Sequence, residues 1–542
     1  MAIQQDMPAT GTTPSAGPAP KMYVRRSSGL VREISGHNAL IGSLVCFNFA
    51  IAAITLVSLP WLFPGTNLPV AVLLSLIPAA FLGGVYVLFG IAMPRSGGDY
   101  VFISRTLHPS IGLAANMSAT AWNLIILGVY ANWVASVGLS GMFASLGLST
   151  GNHTLTSWAA SLSGHGWAFA VGTVVILVIA GVLLNLRGAL RVQKMLFYAG
   201  MFGVLVALVV VGLTSHATFV KNLNHYSSYA GFMHAAAHVG YAHPAGGWGS
   251  VKQTILSVAF LCLSTLFVMY AVYTGGEVRD VRKSIPFAIF GTVIVGGIVF
   301  FLMALVAVHT WGSNFLSAAW TLNGTAHYPF ASAPYFNFLA SIANSNTILV
   351  VIMNLAFVCI LLASMIFTAI AATRCLFAWS FDRLLPEKVA SVNDRTHSPV
   401  NATLIAAVAA EVALYFYTYH GGISFIGGAT MGWISAFATT CLAAVAFPWL
   451  RKQMFQSAPE PVRRTVLGVP VIALCGAPAF AMLAVMIYAF LSNSVFGANS
   501  GKELIFFLGF WALGFVMFWV MRAFRISQGV PFDVAMATLP PE

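Results

Sequence analysis

The sequence predicts an all-α polytopic membrane protein with twelve spanning helices, and three observations lead there. Hydrophobic residues make up 59% of the chain and charged ones only 7%, with a mean hydropathy of +0.87, against the roughly 25% charged share of a soluble domain. A soluble protein of this length would expose much of that apolar surface and aggregate. The apolar residues also gather into runs long enough to cross a bilayer: Gln253 to Gly276 carries no charge and at the helical rise reaches roughly 36 Å. Finally, the charges are sorted. Of the 25 Lys and Arg, all but Lys221, Lys252 and Lys502 fall in one set of alternate loops, the asymmetry of the positive-inside rule. It places both termini in the cytoplasm and reads the net charge of +12 as orientation rather than as a nucleic-acid surface.

Taken in order, the spans lie near 38–60, 68–93, 110–145, 167–186, 195–217, 253–278, 287–310, 345–373, 398–419, 423–449, 467–492 and 503–522. Before them, 1–30 is rich in Pro, Ala, Thr and Gly without an apolar core and reads as a disordered cytoplasmic tail. The transmembrane domain runs over 31–525, and 526–542 forms a second cytoplasmic tail. In the first span Ala39, Ser43, Cys46, Ala50 and Ala53 make a small-residue face, and Ser257, Ser264, Ala271 and Gly275 make another in the sixth. Such faces let backbones approach, so these two spans are expected to pack together.

Gly97–Gly98 after Pro94 predict a sharp cytoplasmic turn before the third span. That span carries Asn116, Thr120, Asn123 and Tyr130 on one face, which must meet protein or a water-filled path rather than lipid. His234 and His238 are four apart in an outer segment, but no carboxylate joins them, and a solvated loop is the expected reading over a metal site. All six cysteines fall in predicted spans, so no structural disulfide is expected. The segment after Glu277 holds Arg279, Asp280, Arg282 and Lys283 and should end the sixth span in water. The stretch from Arg374 to Ala402 mixes charges of both signs with prolines and predicts an ordered turn with a short amphipathic helix. Glu411 in the ninth span is the acidic residue deepest in a predicted span, and an ionised carboxylate there costs about 3 kcal/mol or more. It is a coupling candidate; a neutral side chain hydrogen-bonded to a neighbouring helix is the alternative.

Three cytoplasmic stretches, PRSGGDYVFISR at 94–105, GGEVRDVRKSIP at 275–286, and FAWSFDRLLP at 377–386 with SPVNA at 398–402, together resemble the amino acid–polyamine–organocation superfamily of permeases. The resemblance covers about 30–530. It implies a leucine-transporter-like fold of two inverted five-helix repeats, about 38–217 and 253–449, with extra helices over 467–522. It further implies that spans one and six part near Phe49 to Ala53 and Phe267 to Tyr270. Exposed amides and carbonyls there can hold a carboxylate and an ammonium.

By position, Phe49, Ala50, Ile51, Ala52 and Ala53 with Phe267, Val268, Met269 and Tyr270 would then form the substrate site, flanked by Asn123 and Tyr130. Neither segment contains Gly or Pro. A lysine in the fifth span, used by some relatives for proton coupling, is missing between Met195 and Leu213. Ser364 and Thr368 in the eighth span have the hard oxygen chemistry to ligate sodium, although back-bonding to their own helix is the commoner use of such hydroxyls.

The function so implied is secondary active transport of amino acids or related organic amines across the plasma membrane by alternating access, with a proton or sodium as coupling ion and no cofactor. The alternative is a passive channel, against which stands the lack of a filter motif or charged pore stripe. An enzyme would need more than Glu411 at membrane depth.

Overall fold

A computed structural model describes residues 32–241, 244, 246–393, 398–420, 424–530 and 532–537. The N-terminal tail over 1–30, His243, Asp394 to His397 and the last five residues of the C-terminal tail lie outside the described residues. Among the described residues, twelve helices are long and apolar enough to cross a membrane. They are Gly36–Leu62, Leu68–Ala92, Pro109–Thr150, His165–Leu183, Leu186–Leu213, Gly247–Tyr273, Val281–Thr310, Thr347–Phe381, Val400–His420, Thr430–Leu450, Val471–Ser492 and Gly501–Ser527, called spans one to twelve. Because they alternate in direction, the two ends of the bundle differ in charge, and we call them the basic face and the opposite face.

Apolarity alone does not decide which spans lie inside, since nearly all are apolar all round. Small and polar residues do, because they permit close backbone approach and need partners away from lipid. Span one is 89% buried over its most apolar window and span twelve 11%. The outer spans present residues such as Leu177, Met195, Leu213 and Ile505 outward, a surface suited to hydrocarbon.

Spans one and six are both irregular, and they pack on each other as expected, with the Ala271 amide donating to Ser43 Oγ at 3.3 Å. Span one consists of helices Gly36–Phe47 and Phe49–Leu62 joined at Asn48, whose φ of 56° is left-handed. The break therefore falls one residue before the expected Phe49 to Ala53. Asn is among the few non-glycine residues that visit this conformation readily. Its side chain also makes the break self-sustaining: Oδ1 accepts from the Ala50 and Ile51 amides, each at 3.2 Å. Two donors at the start of the second half-helix are thereby satisfied. Span six is α-helical over Gly247–Thr265 and then winds as a 3-10 helix from Leu266 to Tyr273. Such runs seldom exceed about four residues, and when placed mid-helix they often mark a hinge. Span three loosens in its own way, with a π-helical stretch at Val134–Leu139.

On the basic face three expectations need correction. The 94–105 segment is more than a turn: Asp99–Thr106 is a helix with all of its residues buried, tucked beneath spans two, six and ten. Glu277 does not end span six in water, since it is fully buried against Arg374. The residues from Arg374 to Phe381 are no turn either but the last turns of span eight, and beyond them Glu387–Ala390 forms a short 3-10 helix. In each case a polar group finds a partner on another span, which removes the penalty that would hold it in water. Backbone bridges bind the same layer: Gly97 N donates to Tyr273 O at 3.1 Å, Ile34 N to Glu277 O at 2.9 Å and Arg279 N to Ile34 O at 2.9 Å. On the opposite face, Tyr229–Val239 is a helix where a solvated loop was expected. Its His234 and His238 meet at 3.3 Å, and among the described residues no third ligand joins them. All six cysteines are free.

Candidate functional site

The Asn48 break and the 3-10 segment of span six lie beside a cavity of about 200 Å³. Spans one, three, six, eight and ten enclose it through Ile51, Thr55, Asn123, Tyr130, Phe267, Tyr270, Thr368 and Trp433. It extends toward the opposite face, where Trp61, Trp320, Tyr335 and Phe496 border it. Half of its lining side chains are aromatic, and among the described residues the lining contains no Asp, Glu, Lys, Arg or His. Two aromatic pairs give the walls their shape: Phe267 meets Trp433 edge-on at 4.8 Å, and Trp61 stacks on Trp320 at 6.1 Å. Such a chamber suits a bulky apolar group and offers an isolated side-chain charge no counterion.

Asn123 is the one fully buried amide in this wall. Its Oδ1 accepts from the Tyr270 hydroxyl at 2.6 Å and from Trp433 Nε1 at 3.0 Å. Both partners are donors here, so the orientation of the amide is settled and Nδ2 is its remaining hydrogen-bonding group. That nitrogen is buried with no hydrogen-bond partner among the described residues. An unpartnered buried donor is costly, and an acceptor on a ligand would relieve it. The Tyr130 hydroxyl sits on the same helix face, beside the Asn48 amide.

The expected site residues divide. Ile51, Asn123, Tyr130, Phe267 and Tyr270 line the cavity, as does Thr368. Phe49, Ala50 and Ala53 instead face a small pocket shared with spans five, seven and eight. Ala52, Val268 and Met269 are fully buried but do not line the cavity. Ser364 lies one turn from Thr368 and donates to Val45 O at 2.5 Å and Ile360 O at 2.8 Å, joining span eight to the carbonyl end of the first half-helix. Glu411 stands apart from the cavity, half-buried and hydrogen-bonded to Thr173 of span four. The lining Trp433, Tyr335 and Tyr417 were not anticipated. Apolar spans are full of aromatics, and no local pattern separates those that line a cavity from those that fill a core.

Beneath the cavity the basic face is closed by buried polar contacts. Asp99 accepts hydrogen bonds from the hydroxyls of Tyr86, Tyr273 and Thr440, the last at 2.7 Å. Burial raises its carboxyl above the ordinary carboxylate range, while these three donors pull it the other way. Glu277 and Arg374 form a two-point ion pair. Asp382 accepts from Arg105 Nη2 at 2.7 Å and from the Tyr100 hydroxyl at 2.6 Å. The arrangement is a chamber bordered toward one face by aromatic rings and sealed from the other by charge pairs and hydroxyls.

Sequence comparison agrees with this geometry. A family model described as amino acid permease matches residues 38–518, and no curated protein matches the chain. Most of the chain, including every lining residue of the cavity, falls within the matched region, and the protein belongs to the amino acid permease family.

Proposed function

We propose that this permease is a secondary active transporter that carries neutral amino acids with a bulky apolar or aromatic side chain across the plasma membrane by alternating access. The observation that carries the reading is the aromatic cavity without charged residues, set against the break in span one. The ends of the two half-helices supply opposite partial charges at mid-depth for the ammonium and carboxylate of a zwitterion, and Asn123 Nδ2 supplies a donor for an acceptor oxygen. Aromatic walls favour a large apolar side chain. Lysine or glutamate would bury a charge there without a partner.

The reading extends to membership of the amino acid–polyamine–organocation superfamily and to a leucine-transporter-like arrangement, with repeats over about 38–217 and 253–449, two further helices over 467–522 and tails at either end. The basic face is the cytoplasmic one by the positive-inside rule, with both termini there. For coupling, Ser364 and Thr368 hold hydroxyls beside the carbonyl end of the first half-helix, oxygen chemistry suited to sodium. Glu411 is a more remote candidate. No enzymatic activity is proposed: among the described residues Glu411 is the one acid well inside a span, Glu503 lying in the first turn of span twelve, and a lone carboxylate makes no catalytic pair.

Purified protein in liposomes loaded with unlabelled phenylalanine tests this. Labelled phenylalanine should enter by saturable exchange, leucine and tryptophan should compete, and lysine and glutamate should not. The absence of saturable uptake or exchange for any amino acid or amine would refute the transport reading.

A further inference from the structure

Asp99 is a buried acid that does not line the cavity, and its surroundings suit it to a task of its own. The carboxylate is completely enclosed, and three different spans contribute its hydroxyl partners: Tyr86 from span two, Tyr273 from the 3-10 end of span six and Thr440 from span ten. The other ionisable groups near it are Tyr270 on span six, Cys375 on span eight and Cys441 on span ten. On its own helix Tyr100 and Arg105 turn instead to Asp382. Among the described residues, no Lys, Arg or His is one of the groups that act on the Asp99 carboxyl. In this it differs from Glu277 and Asp382, each of which has an arginine.

The hydrogen-bond network closes in both protonation states. Ionised, the carboxylate accepts from all three hydroxyls. When Oδ1 is protonated it can donate to Thr440 Oγ1, because that hydroxyl has a second acceptor in Ala436 O at 3.2 Å to which its own hydrogen can turn. The site can therefore take up or release a proton without leaving a polar group orphaned. It also lies where movement of the basic face must be felt: Gly98, whose φ is +49°, packs directly on the Tyr273 ring, and Gly97 N is bonded to Tyr273 O.

We propose that Asp99 is a proton-binding site, loaded while the basic face is closed and emptied when Tyr273 withdraws and water reaches the carboxylate. The proposal rests on the alternating-access reading and assigns it a proton-linked step. Its sign follows from the environment. Burial in the closed form holds the proton more tightly than water would. Protonation therefore favours closure most fully below the open-form value, and the advantage is lost as pH rises through the closed-form value. Acid on the basic side should keep that side shut, and alkali should release it.

Hydrogen–deuterium exchange of the full chain in lipid nanodiscs, corrected for the intrinsic pH dependence of amide exchange, reads this without any substrate. Exchange over 94–106 and 266–278 should rise several-fold as the pH is taken from acid to alkaline and the raised carboxyl gives up its proton. Asp99→Asn, a fixed mimic of the protonated form, should hold those segments at the slow acid-side rate throughout. Should that variant fold poorly, Tyr273→Phe serves: it keeps the carboxylate but removes one donor to its ionised form, and the transition should move to higher pH. Rates in these segments that do not change with pH in the wild type, or an Asp99→Asn profile like that of the wild type, would overturn the proposal. Phenylalanine exchange measured alongside separates the two ideas. Without transport of any amino acid the transport reading fails, while the exchange profile still decides what Asp99 does.

Discussion

Glu277 receives the Arg374 guanidinium on both carboxylate oxygens, at 2.6 and 2.9 Å, with the two side chains 0% and 3% exposed. This pair ties the end of span six to span eight beneath the cavity. A buried pair of this kind adds little over apolar residues of similar volume, but removing one member strands the other charge. Glu277→Gln should therefore lose about 3 kcal/mol of stability, read as a lower midpoint in thermal unfolding of the detergent-solubilised protein. Adding Arg374→Met should recover much of that loss, and a double variant as unstable as the single one would contradict this account.

Asn48 holds span one apart by its backbone and by its side chain together. Asn48→Ala should lose about 1–2 kcal/mol for a left-handed residue bearing a plain Cβ and about 1 kcal/mol for the missing cap. Asn48→Gly keeps the backbone freedom and gives up little of the cap's contribution, since glycine is itself tolerated there. The expected order of thermal midpoints is wild type, then glycine, then alanine. A glycine variant no better than the alanine one would locate the requirement in the side chain alone.

Tyr270→Phe removes one of the two donors that orient the Asn123 amide. The loss of about 1 kcal/mol expected for such a hydrogen bond should appear as roughly a fivefold rise in the half-saturating phenylalanine concentration. Asn123→Asp should be worse, because it replaces the free donor with a negative group that repels a carboxylate. Uptake kinetics in liposomes distinguish these effects from misfolding, provided each variant elutes as a single species on size exclusion.

The turn before Asp99 offers a different kind of test. A Cβ on Gly98 would lie 2.9 Å from the Tyr273 ring, and the residue already sits at a positive φ. Gly98→Ala should therefore push Tyr273 off Asp99 and loosen the basic face even at acid pH. Faster exchange over 94–106 with unchanged exchange in span twelve would show this, and an unaltered profile would mean that the ring can shift without disturbing the closure.

Much of the candidate site was legible before the structure. The polar stripe of span three had to avoid lipid, and Asn123 and Tyr130 do line the cavity. Phe267 and Tyr270 followed from position in span six, and they too are lining residues. Phe49, Ala50 and Ala53 carry the same kind of positional argument yet face spans five, seven and eight. Once Asn48 turns left-handed, the second half-helix is set by its own packing rather than by the phase of the first. Nothing local marks that turn, since an asparagine in an apolar run fits an interhelical hydrogen bond equally well. Glu411 stands out in the sequence because of its depth, whereas Asp99, in a segment read as a turn, is completely enclosed by the bundle.

The chain's composition, run lengths and charge order determined by themselves that it crosses a membrane twelve times and which face is basic, because the cost of placing peptide groups and charges in hydrocarbon acts on each segment separately. Which residues share a cavity, where span one parts and which acid loses its water were decided only by tertiary structure. Those outcomes depend on partners distant in the sequence, such as Thr440, 341 residues from Asp99, and Arg374, 97 residues from Glu277, and a buried polar group is tolerated only where such a partner arrives.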